Sequence, residues 1–281
     1  MTEKIKSLGI VPVVKIDDEK KAVPLAKALC AGGLPCAEIT FRTEQAEQSI
    51  RLISKALPDM LVGAGTVLTC AQADKAKAAG AKFIVSPGLN PTVVGHCINI
   101  GIPVFPGCSS PSDIEKALEL GLSCVKFFPA EQSGGIAAIK AMAAPYGNIS
   151  FLPTGGVNAK NLNDYLAFDR VVACGGSWMV DPALIEAENF GKIEELTREA
   201  VFAMLGFSYN PESVPAFGGY IEMTNGNIAV KTNYIERALH FFKSKNIGFK
   251  EDSEKYDAKG KLTAVCFKNK INGFDLQLVQ K

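Results

Sequence analysis

A lysine set among hydrophobic residues in a short extended run is the first position whose type and setting imply chemistry. In CVKFFPA (124–130), strand side chains alternate between faces, so Val125 and Phe127 share one face and Lys126 and Phe128 the other. Val125 and Phe127 suit a covering layer of helices, which turns Lys126 toward the enclosed side. Enclosure disfavours a charged ammonium, and a neutral amine can attack a ketone to form a Schiff base. AEITFR (37–42) supplies a partner: Ala37, Ile39 and Phe41 face outward, while Glu38, Thr40 and Arg42 face inward. Burying unpaired charge is costly, so two charges on an inner face point to chemistry or to an ion pair. Glu38 is a candidate general acid/base. Arg42, at the end of the run, could clamp a carboxylate in bidentate fashion. A structural Glu38–Lys126 ion pair is the alternative, and it is compatible with catalysis because the same carboxylate would poise the amine.

Other polar residues fall at the ends of similar runs. Thr66, in LVGAGTV (61–67), is a second donor for a carboxylate or equally a turn hydroxyl. Pro87, in VSPGLNP, forms a pocket wall or a turn, and turns are the commoner use. Paired glycines close LPTGGVNAK and ACGGSWM. Such glycines let backbone N–H groups approach an anion at a helix N-terminus. Thr154, Gly155, Gly156, Gly176 and Ser177 are therefore candidate phosphate ligands. Lys15 adds charge at the end of IVPVVKI or is simply solvated. His96 and His240 are the only histidines, which supports neither a His-based metal site nor a Ser-His-Asp triad. His96 lies in an apolar helix with no partner in view, and Trp178 reads as core.

The elements that must position these residues form one repeating pattern over 1–205. Eight short apolar runs, at 10–16, 37–41, 61–67, 83–88, 103–108, 124–130, 150–156 and 171–177, alternate with helical patterns. The helical stretches include 44–57, 71–80, 111–121, 134–144, 159–168 and 193–205, with Asp17, Thr43, Ser110 and Asn158 as N-caps. Alternation of this kind implies a parallel sheet covered by helices. Eight units in about 200 residues suit a closed (β/α)8 barrel, whose chemistry sits at the C-terminal strand ends and whose phosphate sites follow strands seven and eight. A doubly wound sheet is the second choice, but no GxGxxG follows the first strand.

Composition bounds the function. The 281 residues carry a net charge of +1 and are 47% hydrophobic. Nucleic-acid binding would call for a basic surplus. No signal-peptide core opens the chain and no run of about 18 apolar residues suggests a membrane span. The eight cysteines, scattered without CxxC or zinc spacing, read as buried free thiols of a cytoplasmic protein.

The motifs EITFRT (38–43), GAGTV (63–67), SPG (86–88), VKFFPAE (125–131), PTGG (153–156) and GGSW (175–178) resemble those of the bacterial 2-keto-3-deoxy-6-phosphogluconate (KDPG) / 4-hydroxy-2-oxoglutarate (KHG) aldolase family. They run in order across about 1–205. The resemblance implies a class I, metal-independent lyase without a cofactor, usually a homotrimer, on a (β/α)8 barrel. It implies cleavage of KDPG to pyruvate and glyceraldehyde 3-phosphate, a step of the Entner–Doudoroff pathway. Carried over motif by motif, it makes Lys126 the Schiff-base lysine and Glu38 the acid/base. Arg42 and Thr66 hold the pyruvate carboxylate, Phe128 and Pro87 line the pocket, and the Thr154–Gly156 and Gly176–Ser177 loops bind phosphate. Ser177 resembles the phosphogluconate enzymes, while the same scaffold also handles the galactonate epimer and unphosphorylated KHG. The rival readings are another phosphate-binding barrel isomerase or synthase, and a metabolite-sensing protein with a regulatory C-terminal module.

The composition shifts at 206–219, which reads as a linker rich in Gly, Pro, Ser and Asn. From 220 to 281 the order becomes strand, helix, then strands, an α+β module. Residues 207–281 hold 11 basic and 8 acidic side chains, leaving the barrel slightly acidic. NIAVKTNYIERALHFF and NGFDLQLVQ within 226–281 resemble a βαβββ module of the vicinal oxygen chelate (glyoxalase-like) superfamily. Metal-binding members of that superfamily place a His and a Glu where Asn227 and Gln277 stand here. Neutral amides are poor ligands for a transition metal, so the resemblance implies a module without metal or glyoxalase chemistry, which could pair between chains into a larger oligomer.

Overall fold

The computed structural model describes the backbone of residues 1–207, 221–224, 227–270 and 275–281. Contacts divide the chain into two compact units, Met1–Thr197 and Arg198–Lys281.

The first unit alternates strand and helix. A leading helix α1 (Thr2–Leu8) precedes β1 (Ile10–Val14), α2 (Ala22–Ala31), β2 (Cys36–Thr40), α3 (Ala46–Ala56), β3 (Leu61–Gly65) and α4 (Cys70–Ala79). Then come β4 (Ile84–Val85), α5 (Pro91–Asn99), β5 (Val104–Phe105), α6 (Pro111–Glu119), β6 (Cys124–Phe127) and α7 (Gly135–Ala143). The unit closes with β7 (Ser150–Pro153), α8 (Leu162–Leu166), β8 (Cys174–Gly176), α9 (Pro182–Glu186) and α10 (Phe190–Leu205). The division between units falls inside α10, whereas the expected barrel limit at 205 is the end of that helix.

Pairing is parallel throughout this unit. Six strands run in the order β5-β4-β3-β2-β1-β8, and β6 pairs with β7. Bridges Gly107↔Lys126, Phe151↔Val171 and Thr154↔Gly175 join the two groups, so the eight strands form a ring. Near-continuous apolar strands suit such a sheet, since both faces are covered; β1, β2 and β6 are buried almost throughout.

Several elements differ from the sequence-based expectation. The strands expected at 83–88 and 103–108 shrink to two residues each, because Pro87 and Pro106 offer no N–H to a ladder. The run at 171–177 keeps only Cys174–Gly176 as strand, with Val171 in an isolated bridge. Ser110 does cap α6, in a capping box with Asp113, but the other three caps fall elsewhere. Asp18, not Asp17, caps the 3₁₀ turn Glu19–Lys21, and Asp17 instead pairs with Lys15 at 2.8 Å. The Thr43 hydroxyl donates to Ile16 O, leaving Gln45 before α3. Asn158 accepts from Lys160 N, and α8 starts after Asn161. Five of the eight cysteines are buried, but Cys30, Cys70 and Cys266 are only half-buried. Burial pushes the thiols of Cys97 up to about 11 and of Cys108 and Cys124 up to about 12, so these stay protonated and unreactive.

In the second unit, β9 (Ile221–Thr224), β10 (Asn227–Thr232), α11 (Ile235–Ser244), β11 (Lys255–Tyr256), β12 (Leu262–Cys266) and β13 (Asp275–Gln280) follow. The sheet order is β11-β12-β13-β10-β9, with β10 and β13 parallel. Phe202, Phe207, Phe241, Phe242, Phe249 and Phe267 form a connected ring cluster, of which Phe207, Phe242, Phe249 and Phe267 are buried. The expected strand IGFKEDS reduces to one bridge, Phe249↔Phe267, and a 3₁₀ turn at Glu251–Ser253. Apart from 206 and 207, the expected linker at 206–219 lies outside the described residues.

Candidate active site

The ring places one amine and one carboxylate face to face. Lys126 on β6 and Glu38 on β2 stand four strands apart, yet Lys126 Nζ lies 3.6 Å from Glu38 Oε1. Strands on opposite sides of a ring can approach this closely only through its interior. Lys126 is 5% exposed and Glu38 1%. Neither carboxylate oxygen of Glu38 makes a hydrogen bond among the described residues. At 3.6 Å the pair is an ion pair beyond hydrogen-bond range, a looseness common in catalytic groups before substrate arrives. The Lys126 Nζ also sits over the Phe128 ring, 5.0 Å from its centroid.

Two glycines on β3 make room for this arrangement. A Cβ built on Gly65 would lie 2.2 Å from Glu38 Oε1, and one on Gly63 would lie 2.3 Å from the Phe83 ring. Both positions belong to GAGTV, where sequence reasoning singled out only Thr66. The signal was present: glycine weakens a strand unless something approaches its backbone closely.

The remaining candidates surround the mouth. Arg42 lies past the end of β2 and is exposed, not enclosed as the inward-facing reading expected. Its Nε donates to Thr66 Oγ1 over a long 3.4 Å. Thr66 has φ 56°, a left-handed conformation that costs a β-branched residue energy and tends to mark functional positions. Pro87 is half-buried, and its carbonyl oxygen lies where a Cβ on Gly107 would be, at 2.0 Å. Lys15 is spent in its ion pair with Asp17. No hydrogen bond or ion pair among the described residues links Arg42 or Ser177 to Lys126.

After β7 the backbone turns left-handed twice, with φ +98° at Gly155 and +81° at Gly156. The Thr154 hydroxyl is buried without a partner, 2.3 Å from where a Gly175 Cβ would stand. At the end of β8 Gly176 is buried, and Ser177, just past it, is exposed. Trp178 is half-buried, not core, and its ring covers Gly176, with Cζ3 2.0 Å from a Cβ built there. Successive backbone N–H groups in such turns make a concavity suited to an anion. Elsewhere, His96 has a partner that sequence reasoning did not see, Asp74 of α4 at 2.7 Å. Among the described residues no group of three or more His, Cys, Asp or Glu is arranged to hold a metal ion, and no helix is long and apolar enough to cross a membrane.

Comparison with known proteins points to one family. Residues 1–196 match the model of the KDPG and KHG aldolase family. A 2-dehydro-3-deoxy-phosphogluconate aldolase of Treponema pallidum is 49% identical over 199 residues, covering 71% of this chain and 95% of that protein. The KHG/KDPG aldolase of Escherichia coli K12 is 44% identical over 200 residues, covering 71% and 94%. A crystal structure of KDPG aldolase from Legionella pneumophila, with pyruvate captured as a covalent carbinolamine, superposes with a TM-score of 0.69 at 37% identity, covering 71% of this chain and 98% of that one.

Proposed function

The chain belongs to the KDPG and KHG aldolase family, and from that premise we propose that it cleaves 2-keto-3-deoxy-6-phosphogluconate to pyruvate and glyceraldehyde 3-phosphate, with Lys126 as nucleophile and Glu38 as proton carrier. The observation that carries the assignment of residues is the buried amine 3.6 Å from a carboxylate with free acceptor capacity.

In this reading Lys126 Nζ attacks the C2 carbonyl, and loss of water leaves an iminium. The C3–C4 bond then breaks with its electron pair drawn toward the iminium nitrogen. Glu38 takes the proton of the C4 hydroxyl, directly or through one water, as the aldehyde departs. The remaining enamine is protonated at C3, and hydrolysis returns pyruvate and the free lysine. Arg42 and Thr66 hold the carboxylate, and Phe128 and Pro87 wall the pocket. The Thr154–Gly156 turn with Gly176 and Ser177 receives the phosphate. The E. coli relative's name covers both substrates, which supports a second cleavage, of 4-hydroxy-2-oxoglutarate to pyruvate and glyoxylate. A cytoplasmic homotrimer belongs to the same reading. We assign 220–281 as a non-catalytic glyoxalase-like module. Its parallel β10–β13 pairing inside a mixed sheet supports that likeness, and assembly between chains is its proposed role.

Sodium borohydride with pyruvate is the direct test. It is expected to inactivate the enzyme and leave a reduced pyruvyl adduct on the peptide containing Lys126. Inactivation without a mass change, or an adduct on another lysine, overturns the assignment and favours a barrel that works without a covalent lysine.

A further inference from the structure

The motif that carries Lys126 ends in Glu131, which the reaction steps above leave without a task. Its surroundings supply one. In the loop after β6, Glu131 N donates to Gly155 O at 3.1 Å and Ala130 N to Thr154 O at 2.8 Å. The Gly156 carbonyl is held by the side-chain amides of Asn158 and Asn161, at 3.1 and 3.2 Å. In a trans peptide the N–H points away from the carbonyl it follows. Fixing these three carbonyls therefore turns the N–H groups of Gly155, Gly156 and Val157 the other way. The Gly155 N–H faces Gly175 in the bridge to β8, while those of Gly156 and Val157 have no acceptor among the described residues.

The Glu131 side chain lies across this turn. A Cβ built on Gly156 would fall 2.5 Å from Glu131 Cγ, so the methylenes rest on the Gly156 Cα. At the far end, Tyr165 of α8 donates its hydroxyl to Glu131 Oε1. Tyr165 is 1% exposed, and its ring is fixed in the core. Burial, and then this hydrogen bond, raises its hydroxyl well above the ordinary tyrosine range, so it stays a donor. Gly135, at the start of α7, leaves space for both groups: a Cβ there would be 3.4 Å from each oxygen.

We propose that Glu131, anchored by Tyr165, is a positioning residue that clamps the Gly155–Gly156 turn and holds its amides toward the phosphate of the substrate. The proposal rests on the phosphorylated-substrate reading above, and its test separates the two. Borohydride inactivation by pyruvate probes the lysine without any phosphate, whereas KDPG cleavage probes both.

Tyr165→Phe and Glu131→Ala are expected to raise KM for KDPG about tenfold, the size of one lost hydrogen bond to a charged group, with kcat changed by less than about twofold. The pyruvate concentration giving half-maximal inactivation stays at its wild-type value in both variants. Glu131→Gln keeps an acceptor and the same stem, and restores KM. Unchanged KM in both variants overturns the proposal, as does a parallel rise in KM and in the pyruvate half-saturation. Failure of wild-type enzyme to form the pyruvate adduct sinks the underlying reading instead.

Discussion

An amine and a carboxylate enclosed together constrain one another, because among the described residues each is the other's only ionic partner. Lone burial of either charge would be expensive, so removing one perturbs the state of the other. Glu38→Gln keeps the shape but cannot accept a proton. We expect kcat for KDPG cleavage to fall by about 10²-fold or more, the range of a lost general base, with the circular dichroism of the fold unchanged. Steady-state rates equal to wild type would remove Glu38 from proton transfer. At this scale much of the candidate site was legible. Period-two alternation and the cost of buried charge single out Lys126 and Glu38 from two short segments. Glu131 and Tyr165 were not legible, because their contact joins residues on different elements and neither is unusual locally. The same holds for His96, whose partner Asp74 lies one helix earlier.

Elements place these groups through what they leave out as much as what they carry. On β3 the absence of side chains at 63 and 65 gives the Phe83 ring and the Glu38 carboxylate their space. Gly65→Ala puts a methyl 2.2 Å from Glu38 Oε1, so the carboxylate must move. Displacements near 1 Å in a catalytic group cost about 10²-fold in rate, and overpacking costs about 1–3 kcal/mol in stability. We expect kcat to fall by about ten- to a hundredfold with a modest drop in Tm. Full activity in this variant would mean that the carboxylate position is not critical. The order of strands and helices was readable from hydrophobic period, but their ends were not. Prolines 87 and 106 stop β4 and β5 early. Asp17, a good cap by type, is diverted to Lys15, and its neighbour Asp18 does the capping. Competition between adjacent equivalent residues is settled by tertiary contacts that a local pattern does not contain.

For the whole molecule, the barrel and the C-terminal unit each hold a core of their own, one aliphatic and the other rich in phenylalanine. The relatives match 71% of this chain over nearly their full length, so the first unit corresponds to a complete protein elsewhere. A chain ending at Phe207, which keeps all of α10, is expected to fold and to cleave KDPG within about twofold of the full-length rate, as autonomous domains do. Loss of cleavage on truncation would assign the C-terminal unit to the catalytic machinery. The site carries one more consequence at this scale. The chain contains a single tryptophan, and its ring lies on Gly176, beside the turn assigned to the anion. Every photon of indole emission from this protein therefore originates at one address, giving the mouth of the barrel an optical reporter that no labelling is needed to install.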